Sequence, residues 1–268
     1  MRIPAHTARL AGGGENEKTR RAAALREALG RLSPTAVRTG LETVPAGVTS
    51  LVCGLPGPGF PCGVLNEVIG SRRDRAAAFG FLFAVMAAAL REREGPALFV
   101  AAQRTLDDGV PYGHGLCQLG VDAGRLILVE TKTDKDALWA VEEALRSEVR
   151  IAVVAGATEC RVDLTASRRL NLAAASHVTP LVLTGCAKAE GANAAVTRWR
   201  IAPAPAALDR YGMFAACRWH AALERCRNGR TGEWLLEWDP IARRFCTVEN
   251  RAANEDFSQL SWNPFRPV

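Results

Sequence analysis

Three stretches of this chain carry side chains suited to anion chemistry: Ser71-Arg72-Arg73-Asp74-Arg75 directly after Gly70, the pair Arg168 and Arg169, and Arg225-Cys226-Arg227-Asn228-Gly229-Arg230-Thr231-Gly232. Guanidinium forks match phosphate oxygens, and the free amides of a helix starting after Gly70 would add positive potential. Catalysis on a nucleoside triphosphate asks for more. It needs a glycine-rich turn ending in G-K-[ST], in which lysine meets the β and γ phosphates and the hydroxyl holds magnesium. Among 34 basic residues only Lys18, Lys132, Lys135 and Lys188 are lysines, which leaves 30 arginines. The lysines follow Glu17, Thr131, Asp134 and Ala187, so the chain has no standard P-loop.

Metal chemistry has no better footing. The eight cysteines fall at 53, 62, 117, 160, 186, 217, 226 and 246, with no C-x-x-C pair, and the four histidines add no close ligand pair. Structural zinc usually shows such pairs, so no metal and no cofactor is expected, and the cysteines read as reduced and mostly buried. The net charge of +6 permits contact with nucleic acid without requiring it. Arg168, Arg169, Arg198 and Arg200 are the candidate DNA contacts.

The elements that would hold these residues follow from periodicity. A chain of 268 residues, 48% apolar, is long enough for one full core. Its longest apolar run, Phe79 to Leu90, falls short of the roughly 20 residues of a membrane span, and Met1-Arg2-Ile3-Pro4 lacks the pattern of a secretory signal. A soluble cytoplasmic protein is expected. Residues 1–44 form an N-terminal segment in which Leu25, Ala28, Leu29 and Leu32 recur at helical spacing opposite Arg20, Arg21, Arg26 and Arg31, a basic amphipathic helix that docks on its own domain or on a neighbour.

Residues 45–249 form the core. Val64–Ile69 reads as a strand ending at Gly70 and Arg73–Arg93 as a long apolar helix. Strands Ala97–Ala101, Leu126–Glu130, Ile151–Val154 and Leu181–Thr184 then alternate with helices Gly109–Gly120, Asp134–Ser147 and Leu164–Ala175. Apolar strands without alternating polarity, separated by helices, indicate an α/β doubly wound, mainly parallel sheet. Ten of the 17 aromatics lie from Trp199 onward, and Arg198–Ala202, Phe214–Arg225, Trp234–Asp239 and Phe245–Glu249 read as antiparallel C-terminal strands. Residues 250–268 are an aromatic tail without pattern except for Phe257, Leu260, Trp262 and Phe265.

The order of these elements resembles the core of the RecA superfamily. Gly59-Phe60-Pro61-Cys62-Gly63-Val64-Leu65-Asn66-Glu67-Val68-Ile69-Gly70 is similar to that family's G-L-P-x-G-x-[IV]-x-E-[IV]-x-G entry to the phosphate loop. Phe99-Val100-Ala101-Ala102-Gln103 resembles its F-I-D-A-E strand, and Leu119-Gly120-Val121-Asp122 its L-G-V-D. Val149–Gly156 falls where the second nucleotide motif belongs, and Leu181–Gly185 where F-I-N-Q belongs. The resemblance implies a RecA-like fold and marks what is absent. Arg75, Ala76 and Ala77 stand where glycine, lysine and threonine should follow Gly70; Ala155 replaces the metal-directing aspartate; Gln103 replaces the glutamate that activates water, and an amide cannot accept that proton. Four roles are lost together, so a pseudo-ATPase is expected.

Arg225 to Gly232 resembles the [KR]-x-R-N-G-x-T-G hairpin of ring helicases in this superfamily, which implies trans-acting roles for Arg225 and Arg227; an Asn-Gly hairpin turn also explains the string without function. The loops that bind DNA in RecA recombinases are cut down here to Ala157–Asp163 and Cys186–Thr197, which argues against strand exchange. A RecA-like chain with a degenerate phosphate loop, a basic N-terminal helix, this hairpin and an aromatic tail resembles the ImuA family. That resemblance implies an accessory or scaffold of SOS-induced translesion DNA synthesis. Its partners would be ImuB, an inactive Y-family polymerase relative, indirectly an error-prone DnaE-type polymerase, and RecA, with self-association as a homo-oligomer also open. Phe257, Leu260, Trp262 and Phe265 are the expected partner-binding anchors, although the same side chains fit a tail folded back on the sheet. Two other classes stay open: a SulA-type division inhibitor, and a RecA-superfamily ATPase with an arginine-assisted loop.

Overall fold

A computed structural model of the chain describes residues 42–48, 55, 57–107, 109–160, 162–186, 193–227 and 230–248. The expected N-terminal helix and the aromatic tail lie outside the described residues. Eleven strands are described: β1 (Thr43–Pro45), β2 (Gly59–Pro61), β3 (Leu65–Gly70), β4 (Ala97–Ala102), β5 (Leu126–Thr131), β6 (Val153–Ala157), β7 (Leu181–Cys186), β8 (Thr197–Leu208), β9 (Phe214–Cys226), β10 (Gly232–Asp239) and β11 (Arg244–Thr247). The helices are α1 (Arg75–Glu92), α2 (Gly113–Gln118), α3 (Asp134–Arg146) and α4 (Leu164–His177). None of the described helices is long and apolar enough to cross a membrane.

Nine strands form one mixed sheet in the order β11-β10-β9-β8-β3-β7-β6-β4-β5. From β8 to β5 every neighbouring pair is parallel, and from β8 outward to β11 every pair is antiparallel. β1 and β2 form a separate two-stranded ribbon. The apolar residues sort by the period of two: Leu98, Val100, Val154, Leu181 and Leu183 pack with α3 and α4 on one face, while Phe99, Val153, Ala155 and Val182 pack with α1 on the other. The core is therefore wound on both faces, as an α/β fold with antiparallel C-terminal strands.

α1 is buried from Phe81 to Leu90 without a break, so it has no polar face and must be covered all round. The sheet covers one side. The rest comes from Phe60 of the β1–β2 ribbon and from Trp219 and Phe245 of the C-terminal strands, with ring centroids 6.0, 5.9 and 5.0 Å from that of Phe81. The helix ends on Arg125, whose guanidinium donates to the carbonyls of Leu90, Arg93 and Gly95 at 2.6–3.0 Å and so satisfies acceptors that a helix end leaves open.

Three boundaries differ from the sequence expectation. β6 runs to Ala157 rather than ending at Val154, because Ala155-Gly156-Ala157 are small for packing, not for turning: a Cβ on Gly156 would stand 2.7 Å from Leu183 and 3.3 Å from Val141. β8 continues past Ala202 through Pro203 and Pro205. Its parallel neighbour stops at the Ile69–Arg200 pair, so one side of the strand is open and needs no further donors. α2 is a short helix, closed by Gly120 at φ +87, whose amide returns to Cys117 O. Among the six cysteines whose side chains are described only Cys62 is buried; Cys117 and Cys160 are exposed and the rest half-buried, against the expectation of mostly buried thiols. The described residues contain no cluster of potential metal ligands.

Phe81 touches aromatic rings from three different parts of the chain, so Phe81→Ala should lower stability by about 3–5 kcal/mol in urea unfolding. Phe214→Ala, at an exposed position, should shift it by less than about 0.5 kcal/mol. Burial pushes the Cys62 thiol up to about 12, Arg93 opposing that rise and Glu42 adding to it. Its thiolate is scarce at pH 8, and iodoacetamide should label Cys117 well before Cys62.

Candidate functional site

β3, β6 and β7 end together above the start of α1, and their carboxyl ends border a cleft of about 20 Å³ lined by Gly70, Arg75, Phe79, Thr158, Glu159 and Gly185, among others. A cavity of that size holds about one water molecule. Gly70 is needed because the first turn of the helix lies hard against it: an added Cβ would come within 3.1 Å of Asp74 O and 3.2 Å of the Ala78 Cβ. The connection from Ser71 to Asp74 is a tight turn in which Asp74 N donates to Ser71 O at 3.0 Å. The Ser71 hydroxyl donates to the Asp74 carboxylate at 2.5 Å, so neither side chain caps the helix.

Arg75 does not face solvent from this turn. Its guanidinium meets the Glu159 carboxylate at 3.5 Å and donates to the carbonyl of Arg104 at 3.4 Å, tying α1 to the segments that follow β6 and β4. Glu159 is held in turn, since its amide and that of Cys160 donate to Asp134 at 2.9 and 2.7 Å. The cation nearest the expected phosphate position is thus engaged by an acid of the same chain. Ala76 is exposed, and Ala77 packs half-buried against the core. Gln103 is exposed at the head of a short turn after β4 and does not line the cleft. Ala155 sits inside β6, fully buried, and Ala157 is the residue of that strand that reaches the cleft.

The other candidate arginines are built into the frame. Glu67 on β3 is buried, accepts from Arg198 at 2.6 Å, and accepts from the Asn193 side-chain amide at 2.8 Å. Arg225, opposite Arg198 in the β8–β9 ladder, donates to the Asn193 side chain and to Ala195 O at 2.8 Å. Burial lowers the affinity of Arg225 for its proton, Arg198 adds to the effect, and its Nε has no hydrogen-bond partner among the described residues. This places Arg225 inward as a strut. Arg227 is exposed and makes one long contact, 3.5 Å to Asn193 O. Arg169 is bound to Glu142 by two hydrogen bonds of 3.3 and 2.5 Å, joining α4 to α3, while Arg168 is exposed on α4. Phe257, Leu260, Trp262 and Phe265 lie outside the described residues.

The structure therefore brings Gly70 and Arg75 together at the cleft and leaves Ala76, Gln103 and Ala155 apart from it. Glu159 escaped the sequence reading, although its position just past the second motif was the available signal. An exposed apolar tip on the β8–β9 hairpin escaped it too: Leu208, Tyr211, Met213 and Phe214 are each more than 60% exposed. At the cleft, the Arg75–Glu159 pair ties the start of α1 to the segment after β6.

No family model matches the chain. It is similar to Protein ImuA of Caulobacter vibrioides, in strain NA1000 / CB15N and in strain ATCC 19089 / CIP 103742 / CB 15, at 35% identity over 214 residues. The match covers 75% of this chain and 85% of each relative. At that identity and coverage, the chain belongs to the ImuA family.

Proposed function

We propose that this chain is a RecA-like, non-hydrolysing accessory protein of the ImuA/ImuB mutagenesis system, working by protein contact in SOS-induced translesion DNA synthesis. Its place in that system rests on membership of the ImuA family. The loss of hydrolysis rests on one observation, the Arg75–Glu159 ion pair beside a cleft of about 20 Å³. A triphosphate would have to break that pair and would find neither a lysine nor a hydroxyl-bearing residue at positions 76 and 77. The RecA-like reading of the fold is supported by a central β3 that feeds a tight turn and then α1, with the other parallel strands laid out on one side and the antiparallel strands on the other.

Contact with proteins is supported by the apolar hairpin tip, because soluble chains seldom leave four large apolar side chains this exposed within seven residues without a partner. The tail anchors Phe257, Leu260, Trp262 and Phe265 form the second contact element. An ImuB-type polymerase relative is the direct partner, and a DnaE-type polymerase joins through it. RecA is a further partner.

Purified chain incubated with ATP and magnesium, with and without single-stranded DNA, should release no phosphate above a buffer blank. Turnover that disappears in Gln103→Ala would overturn the pseudo-ATPase reading. Full-length chain carrying alanine at all four tail anchors should lose at least tenfold in affinity for ImuB while its unfolding midpoint stays unchanged. Undiminished capture of ImuB by that folded variant would take the tail out of the interface.

A further inference from the structure

α3 and α4 run parallel to one another, because each crosses between parallel strands, from β5 to β6 and from β6 to β7. Val141, Leu145, Leu170 and Ala174 hold them on the sheet, which leaves each helix an outer surface. Where the two helices meet, Glu142 of α3 is buried and accepts from Arg169 of α4 through Nε and one terminal nitrogen. Arg146, one turn further along α3, meets the same carboxylate at 2.5 Å. Two arginines share one acid, so the seam between the helices keeps a surplus of positive charge.

The helical period fixes what accompanies them. Lys135, Trp139, Glu142 and Arg146 stand at i, i+4, i+7 and i+11, which makes a single stripe along α3 on the side of α4. Across the seam, Arg169 and Leu172 share a stripe of α4, and Arg168 is exposed beside them. The exposed acids of α3, Asp136 and Glu143, fall on the flank turned from α4. Trp139 is 62% exposed, and among the described residues no other ring lies against it. Arg146 keeps 57% of its side chain exposed in spite of Glu142.

The geometry points to this seam as a seat for single-stranded nucleic acid, with one base stacked on Trp139 and the flanking phosphates over Lys135 and Arg146. Along the axis Lys135 lies about 6 Å before the indole and Arg146 about 10 Å beyond it, so a strand laid along α3 meets cation, ring and cation in turn. The indole accepts the face of any base, and the cations hold the backbone without reading sequence. In a nucleic-acid strand every negative charge comes with a flat group one sugar away, which an acidic peptide lacks. A duplex offers the phosphates but not the base, because its base faces are stacked on one another. Arg169 stays on Glu142 in this arrangement: by neutralising the carboxylate it leaves the charge of Arg146 unspent. The seat is independent of the accessory reading and would stand if ImuB were not the partner.

Anisotropy of a short fluorescent oligo(dT), titrated with the full chain at low salt, tests it. The chain should bind the strand, and Trp139→Ala should weaken binding about tenfold, whereas Trp139→Phe, which keeps a ring, should lose less than about threefold. Neither should move the unfolding midpoint, since the position is exposed. A strand of the same length without bases should bind the unaltered chain about tenfold more weakly than oligo(dT) and be indifferent to Trp139→Ala. Replacing Lys135 and Arg146 together by alanine should reduce the slope of log K against log salt by about 1.4. No binding of oligo(dT), or binding that Trp139→Ala leaves unchanged, would overturn the proposal. So would a duplex of the same length that binds as tightly and depends as much on Trp139. An oligoglutamate of equal charge that competes as well as oligo(dT) would assign the seam to an acidic polypeptide and overturn the nucleic-acid seat.

Discussion

The unbroken burial of α1 from Phe81 to Leu90 sets the terms for the rest of the molecule. A helix without a polar face cannot lie on a sheet with its back to water; something must close over it. Here the closure comes from distant parts of the chain, with Phe60 from the β1–β2 ribbon and Trp219, Trp238 and Phe245 from the C-terminal strands. That requirement accounts for Trp199, Trp219, Trp238 and Phe245 among the aromatics of the C-terminal part. It also accounts for a sheet that extends three strands beyond β8, since a shorter sheet would leave the back of α1 exposed. The antiparallel extension is thus part of the same core as the parallel half.

A helix held this firmly has a fixed first turn, and the cleft inherits its geometry. Gly70 admits the close approach of the Asp74 carbonyl, and Arg75 then lies near Glu159, whose backbone is fixed by Asp134. Nothing in this chain of contacts needs a ligand to hold it. The turn holds its shape through packing of α1 and the close approach at Gly70.

Much of the fold was legible in the sequence because its strands are apolar runs and its helices carry clear caps. Thr133 accepts from the Asp136 amide and Asp163 from the Ala166 amide, as helix starts at those residues imply. What misled was composition used for packing. Ala155-Gly156-Ala157 looked like the end of a strand because small residues favour turns, yet they are small because α3 and Leu183 press on Gly156 from one side. β8 likewise runs on past Ala202, because Pro203 and Pro205 lie where one side of the strand has no neighbour. At the cleft, Gly70 and Arg75 were legible by motif order, whereas Glu159 was not, since a single acid in a loop shows its partner only in three dimensions.

The excess of arginine takes on a different meaning in this setting. Arg75, Arg93, Arg125, Arg169, Arg198 and Arg225 each bond to a carboxylate, side-chain amide or carbonyl of the same chain. A planar fork with five donors can bridge several acceptors at once, which a lysine ammonium does less well, so arginine suits such struts. Charge tied up inside the frame contributes little to phosphate neutralisation, because each strut must first be broken. Exposed groups include both the apolar tip formed by Leu208, Tyr211, Met213 and Phe214 and cations such as Arg168 and Arg227. Arginine here serves the frame as well as the surface, so its abundance alone is no measure of contact with nucleic acid.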